Sequence, residues 1–206
     1  MDNKRLSERI KKLEEQVRGL REEKKKIKLL FEEAERRATH DGLTNLYNRR
    51  GLQEILEREK KRAERHNYPI GFLLVDLNDF KGINDVFGHQ TGDKALTAVA
   101  DLLRKSVRGS DVVVRYGGDE FLIVCPELQD LTPIKDRILL SLKDWDEGNS
   151  FLLSFPLSLA IGENVWWPGK DKTVEQAIHE ADLAMYQNKN KVRKGGTRKG
   201  MVNTPL

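Results

Sequence analysis

Apolar residues at the start of the chain step by alternating fours and threes: Leu6, Ile10, Leu13, Val17, Leu20, then Ile27, Phe31, Ala34 and Ala38, with Lys24 where the next member falls. Ile10, Val17, Lys24, Phe31 and Ala38 take heptad position a, and Leu6, Leu13, Leu20, Ile27 and Ala34 take d. A 3.5-residue repeat sustained in this way is the pattern of a coiled coil. β-branched residues at a with leucine at d favour two parallel strands. In such a pair Arg9 of one strand faces Glu14 of the other and Glu23 faces Lys28, both attractive. Lys24 lowers stability and disfavours other registers. The stripe is too narrow and too long to have a core of its own to face. A helix from about residue 4 to 38 would be roughly 50 Å long.

The seam stops at Thr39-His40-Asp41-Gly42, where Gly42 breaks the helix. The expected organisation is a coiled-coil dimerisation helix over 1–38, a folded domain over 39–195 and a basic flexible tail over 196–206. A helix of about 15 residues should end near Asn67. Ile70 to Val75 is an apolar run after Pro69 and reads as a buried strand. It leads into Asp76-Leu77-Asn78-Asp79-Phe80-Lys81. A carboxylate just past a buried strand is rigidly held and suits a metal ligand, though solvated acids at a plain strand end fit the segment equally well. A helix follows from about Gly92 to Arg108.

Asp111–Tyr116 and Glu120–Val124 are strand-like, and Gly117-Gly118-Asp119 between them reads as a hairpin turn whose glycines can take positive φ. A purely conformational role is one reading of that turn. The other is that adjacent acids and bare glycine backbone let a phosphate approach closely. A helix around Ile134–Leu142, a strand around Leu152–Ile161 and a helix around Val174–Asn188 complete the order βααββαβα. That order predicts an α+β fold: a mainly antiparallel central sheet flanked by helices, preceded by the long helix.

Composition narrows the function classes. The 206 residues are 38% hydrophobic and 34% charged, as expected for a globular domain joined to a solvated helix. The net charge of +4 is unevenly spread. Residues 1–40 carry 13 basic and 9 acidic side chains, residues 41–188 carry 18 and 24, and residues 189–206 carry 6 and none. A duplex-binding domain would place its basic stripe on the body, so nucleic acid is not an expected partner. No run approaches the roughly 20 apolar residues of a membrane span, and the charged start has no signal-peptide core. The single cysteine, Cys125, excludes an internal disulfide and reads as a buried strand thiol. A reduced, cytoplasmic compartment is expected.

Four segments then share one resemblance. Arg115-Tyr116-Gly117-Gly118-Asp119-Glu120-Phe121 resembles the signature of GGDEF-domain diguanylate cyclases. Asp41-Gly42-Leu43-Thr44-x-Leu46-x-Asn48-Arg49-Arg50 resembles that family's opening motif. Asp76 to Asp93 resembles its metal-and-base segment, and Ala181-Asp182-x-Ala184-Met185-Tyr186-x-x-Lys189 its last helix. The segments occur in the family order over residues 39 to about 195.

The resemblance implies a GGDEF/nucleotide-cyclase-like fold and condensation of two GTP into cyclic di-GMP, with two pyrophosphates released. The implied cofactor is Mg2+, with Mn2+ as an alternative. Asp76 and Asp119 would be carboxylate ligands, assisted by the Leu77 carbonyl. Asn84 and Asp93 would meet the guanine edge. Phe80, Lys81, Lys189 and Arg193 would hold the β- and γ-phosphates, next to the Gly117-Gly118 turn. Glu120 would accept a proton or pair with Lys81, and Arg115 would lie near the reacting phosphates. One GTP half-site per subunit implies a homodimer through the parallel coiled coil. Arg108-Gly109-Ser110-Asp111 is similar to the family's product-inhibition motif, with Arg137 as a further candidate for the cyclic di-GMP site. Three rivals are a non-catalytic nucleotide receptor, which would usually lack the acids of the turn, an enzyme for mixed or adenine-containing dinucleotides, against which Asp93 argues, and a scaffold whose purpose is the coiled coil, which would leave the motif set unexplained.

Overall fold

A computed structural model describes residues 2–149 and 156–196; for residues 2–4, 148–149 and 191–196 it describes the backbone alone. The chain divides into two compact units, one ending at Thr39 and one beginning at His40. The first is a single helix, α1 (Asp2–Thr39). Its seam residues Leu6, Ile10, Leu13, Val17, Leu20, Ile27 and Phe31 are all exposed, Phe31 at 67%. That leaves an apolar stripe uncovered by the chain's own residues.

The second unit contains α2 (Arg49–His66), β1 (Ile70–Leu77), α3 (Phe80–Phe87), α4 (His89–Ser106), β2 (Val112–Arg115), β3 (Glu120–Pro126), α5 (Thr132–Asn149), β4 (Leu159–Trp166) and α6 (Val174–Gly196). From β1 onward this is the expected order. Asn48 starts α2 by accepting hydrogen bonds from the backbone N–H of Arg50 and Gly51 at 2.9 and 3.0 Å, which meets two of the donors a helix start leaves open. Asn67 ends it in the left-handed region, at φ 53°.

The four strands lie in the order β2-β3-β1-β4, and the pairings between them are antiparallel. β1 is therefore an inner strand. All eight of its residues are buried, because helices cover both faces of the sheet. Strand periodicity sorts them. Leu73, Val75 and Leu77 join Phe121 and Ile123 against Leu96, Val99 and Leu103 of α4 and Ile134 and Ile138 of α5. Ile70, Phe72 and Leu74 join Leu122 and Val124 against Leu52 of α2 and Ala177, Ala181 and Met185 of α6. Cys125 is buried as expected, and burial pushes its thiol well above the ordinary range.

Two expectations need correction. The strand anticipated around 152–161 runs instead over Leu159–Trp166, and 152–155 lie outside the described residues. Pro156 has no N–H to give to a ladder, and pairing with β1 extends from Leu159 to Trp166. The anticipated positive φ at the Gly117-Gly118 turn is also absent: among the described residues the positive-φ glycines are Gly88 and Gly169.

α6 sits unusually close to β4. A Cβ on Gly162 would lie 2.1 Å from both the Ala181 carbonyl oxygen and the Met185 nitrogen. Only glycine permits that approach. It brings the next turns of α6 over the end of β1.

Candidate active site

Asp76 is the last residue but one of β1 and is only 4% exposed. Alternation puts its side chain on the face shared with Phe72 and Leu74, the face covered by α6. Glu120, the first residue of β3, stands directly across the ladder from it. The turn before Glu120 folds back on the same place. The N–H groups of Tyr116 and Gly117 both donate to the Glu120 carbonyl, at 2.8 and 3.1 Å, and the Asp119 carbonyl accepts from Leu77 N–H at 3.1 Å. Asp76, Asp119 and Glu120, from two separate motifs, thus converge at one end of the sheet.

The glycines of the turn act through space. A Cβ on Gly117 would lie 2.6 Å from Glu120 Oε2, while a Cβ on Gly118 would meet nothing within 4 Å. The first makes room for the Glu120 carboxylate and the second leaves the backbone open on the outside.

Lys189, on α6, reaches into this acidic corner. Its Nζ lies 2.6 Å from Oδ1 and 2.8 Å from Oδ2 of Asp76. The neighbouring Asn188 donates from Nδ2 to the Ile161 carbonyl at 2.8 Å, fixing that turn of α6 on β4. Glu120 is pushed above the usual carboxylate range by burial first, then by the charges of Asp76, Asp119 and Asp182, with Lys189 a partial offset. Lys81 is exposed, and the ion pairs among the described residues do not join it to Glu120.

α3 begins after Asp79, itself in the left-handed region at φ 55°, and no side chain caps its first turn. The N–H groups at Phe80 and Lys81 therefore lack a side-chain acceptor. Farther along α3, Asn84 packs against Gly92 of α4. A Cβ on Gly92 would lie 2.0 Å from Asn84 Oδ1 and 3.1 Å from the Phe80 ring. That Oδ1 is buried with no hydrogen-bond partner, an arrangement that costs free energy when nothing compensates it. Asp93 follows Gly92 and is exposed. Arg193 lies in the last turns of α6, where side chains are outside the described residues.

Arg115 was expected near reacting phosphates. Its guanidinium is engaged within the domain: Nη1 lies 3.0 and 3.1 Å from the two oxygens of Asp41, and Nε and Nη2 donate to the Gly118 carbonyl at 3.2 and 2.7 Å. Asp41 also accepts from Thr44 N–H and Oγ1 at 2.8 and 2.7 Å. Asp41 was read only as part of a motif, and its role was missed because its partner lies 74 positions away. Asp182 was missed in the same way, and only the fold brings it within electrostatic reach of Glu120.

Arg108 and Asp111 lie apart from this corner, on a cavity of about 410 Å3 lined also by His40, Tyr47, Arg104 and Val113. Asp111 Oδ2 accepts from Arg108 N–H at 2.8 Å, closing the loop after α4. Arg137 donates from Nε to the Ser106 carbonyl at 2.7 Å, at the same end of α4, but it does not line the cavity.

Known proteins can be set beside this geometry. Residues 38–195 match the family described as "Diguanylate cyclase, GGDEF domain". The chain belongs to the GGDEF diguanylate cyclase family. It is 38% identical over 170 residues to the diguanylate cyclase DosC of Escherichia coli K12, covering 81% of this chain and 36% of that protein. It is 35% identical over 156 residues to the probable diguanylate cyclase DgcC of the same organism, covering 74% and 41%. Among solved structures, the coiled coil and GGDEF domain of DgcB from Caulobacter crescentus in complex with c-di-GMP superposes with TM-score 0.73 at 28% identity. That match covers 87% of this chain and 95% of that one. The chain spans about two fifths of the length of the curated relatives it matches. The α+β domain, an antiparallel four-stranded sheet flanked by helices, matches the GGDEF fold. Among the described residues no helix is long and apolar enough to cross a membrane, and no group of three or more His, Cys, Asp or Glu side chains gathers to hold a metal.

Proposed function

We propose that the protein condenses two GTP into cyclic di-GMP and works as a dimer in which each domain carries one GTP half-site. The observation that carries this reading is the convergence of Asp76, Asp119 and Glu120 at one end of the sheet, with Asp76 and Glu120 locked opposite each other by the β1–β3 ladder. GTP brings about four negative charges to an acidic corner, so cations must mediate. Hard oxygen donors are what magnesium prefers, usually one or two carboxylates with the remainder from water and phosphate. Two carboxylates, Asp76 and Asp119, with the Leu77 carbonyl beside them fit that demand without a third acid. Bound there, magnesium or manganese would neutralise phosphate charge and acidify the attacking 3′-hydroxyl.

The chain's own groups account for the rest. The uncapped start of α3 at Phe80 and Lys81 offers N–H donors to phosphate, and the open backbone at Gly118 admits it closely. Lys189 and Arg193 supply positive charge from α6. Asn84 and Asp93, set around Gly92, offer acceptors to the guanine N1–H and N2–H2, donors that adenine does not present as a pair. Glu120, with its carboxyl pushed up, is suited to take the proton from the attacking 3′-hydroxyl. Arg115 orients the turn through Gly118 and is a positioning residue.

The exposed seam of α1 supports pairing of two chains as a parallel coiled coil, which would raise the effective concentration of one half-site at the other. Arg108 and Asp111 beside their cavity support a product site for cyclic di-GMP, with Arg137 nearby. Incubating the protein with GTP and magnesium, with ATP as control, and separating the products tests the proposal. Cyclic di-GMP from GTP alone is the expected outcome, and no dinucleotide at any protein concentration would refute it.

A further inference from the structure

Lys189 contacts both oxygens of Asp76, at 2.6 and 2.8 Å, from a side chain that is 19% exposed against 5% for Asp76. A carboxylate buried to that degree needs a counter-charge, and Lys189 provides one from inside the fold. Its backbone is well placed for this. The contact between Gly162 and Ala181–Met185 and the Asn188 bond to Ile161 hold α6 over the end of β1. The four-carbon stem leaves the ammonium free to swing while the helix stays still.

Both Asp76 oxygens face the same ammonium. A divalent cation cannot coordinate either of them at close range without repelling that positive charge. From these contacts we infer that Lys189 competes with the divalent cation for Asp76, and that a nucleotide triphosphate relieves the competition by drawing the ammonium onto its phosphates. Cation and nucleotide then bind cooperatively. The lysine is transferred from carboxylate to phosphate as the cation takes its place, so Asp76 keeps a positive partner throughout. The protein alone would hold the cation weakly, and each ligand would raise the affinity of the other by the same factor. This inference rests on the proposed nucleotide site and adds to it an internal competitor.

The test measures Mn2+ binding to the full chain by the loss of the free-ion paramagnetic resonance signal, with and without a non-hydrolysable GTP analogue. It uses wild type, Lys189→Met, Lys189→Arg and Asp76→Asn. Without nucleotide, Lys189→Met should bind Mn2+ at least about fivefold more tightly than wild type, the low end of ordinary coupling between sites. The strengthening by nucleotide should shrink in Lys189→Met, and Lys189→Arg, which keeps the charge, should resemble wild type. Equal or weaker nucleotide-free binding in Lys189→Met, with a normal circular dichroism spectrum, overturns the inference. Should Lys189→Met fold poorly, Lys189→Arg decides: a wild-type nucleotide enhancement supports the exchange, and its loss despite the retained charge overturns it. Mn2+ binding in the presence of nucleotide that is indifferent to Asp76→Asn would instead sink the proposed metal site itself, so the two failures are told apart.

Discussion

Arg115 and Asp41 are joined by a two-oxygen ion pair across 74 positions of sequence, with Nη1 3.0 and 3.1 Å from the carboxylate. The same guanidinium holds the Gly118 carbonyl. One side chain thus ties the segment that opens the domain to the turn carrying Asp119.

Asp41→Asn should weaken that tie. Burial pushes the Asp41 carboxyl up, but the hydrogen bonds from Thr44 and the Arg115 guanidinium outweigh it and hold it below its ordinary value. A carboxyl lowered in the folded state stabilises above its unfolded value, and that stabilisation is lost as pH falls through the folded one. The substitution should cost about 1–2 kcal/mol near neutral pH for a partly buried charged hydrogen bond. Urea unfolding should show this difference fading below about pH 4.

Glu120→Gln should have the opposite sign. Its carboxyl is raised by burial and by Asp76, Asp119 and Asp182, so its charge destabilises the folded protein at neutral pH, and the penalty disappears as acid protonates it. The glutamine variant should melt at a higher temperature than wild type near neutral pH, with the gain vanishing on acidification. Turnover should fall by about 10²–10⁴-fold if Glu120 transfers the proton. A variant both less stable and fully active would contradict this.

Gly162→Ala tests the seating of α6. The new Cβ would lie 2.1 Å from Ala181 O and Met185 N, both backbone, so the helix must move. A loss of about 1–3 kcal/mol is expected from overpacking, measured by denaturant unfolding. Turnover should fall further than stability, because Lys189 moves with the helix.

Leu13→Pro combined with Leu20→Pro should break the α1 seam. Most turnover should be lost while binding of a fluorescent GTP analogue persists, and sedimentation should show monomers. A monomeric variant with wild-type specific activity would refute the need for pairing.

Arg108→Ala should relieve inhibition by cyclic di-GMP, read as a rise in the inhibitory concentration with initial rates unchanged. Identical inhibition curves would remove Arg108 from any product site.

Element order and the acidic corner were legible because each rests on local pattern. The β1 run of apolar residues ends on an acid, and the Gly-Gly turn sits between two strand-like runs. The β4 boundary was misread because Pro156 and the polar pair Glu163-Asn164 obscure a strand whose limits are set by pairing with β1. Arg115 could not be tied to Asp41 from sequence, for a related reason. Its motif gives its neighbours in sequence, whereas its partner Asp41 comes from the start of the domain. Gly162 carried no signal at all, since its importance lies in a helix about twenty residues downstream that must touch the strand.

Because β1 is bonded on both edges, to β3 and to β4, Asp76 is carried by the stiffest part of the sheet and cannot drift without tearing two rows of hydrogen bonds. A half-site built on such a strand makes a poor sensor. On the proposed dimeric reading, much of the control over output would then fall to how often two halves meet, so tuning should be sought in assembly and domain orientation.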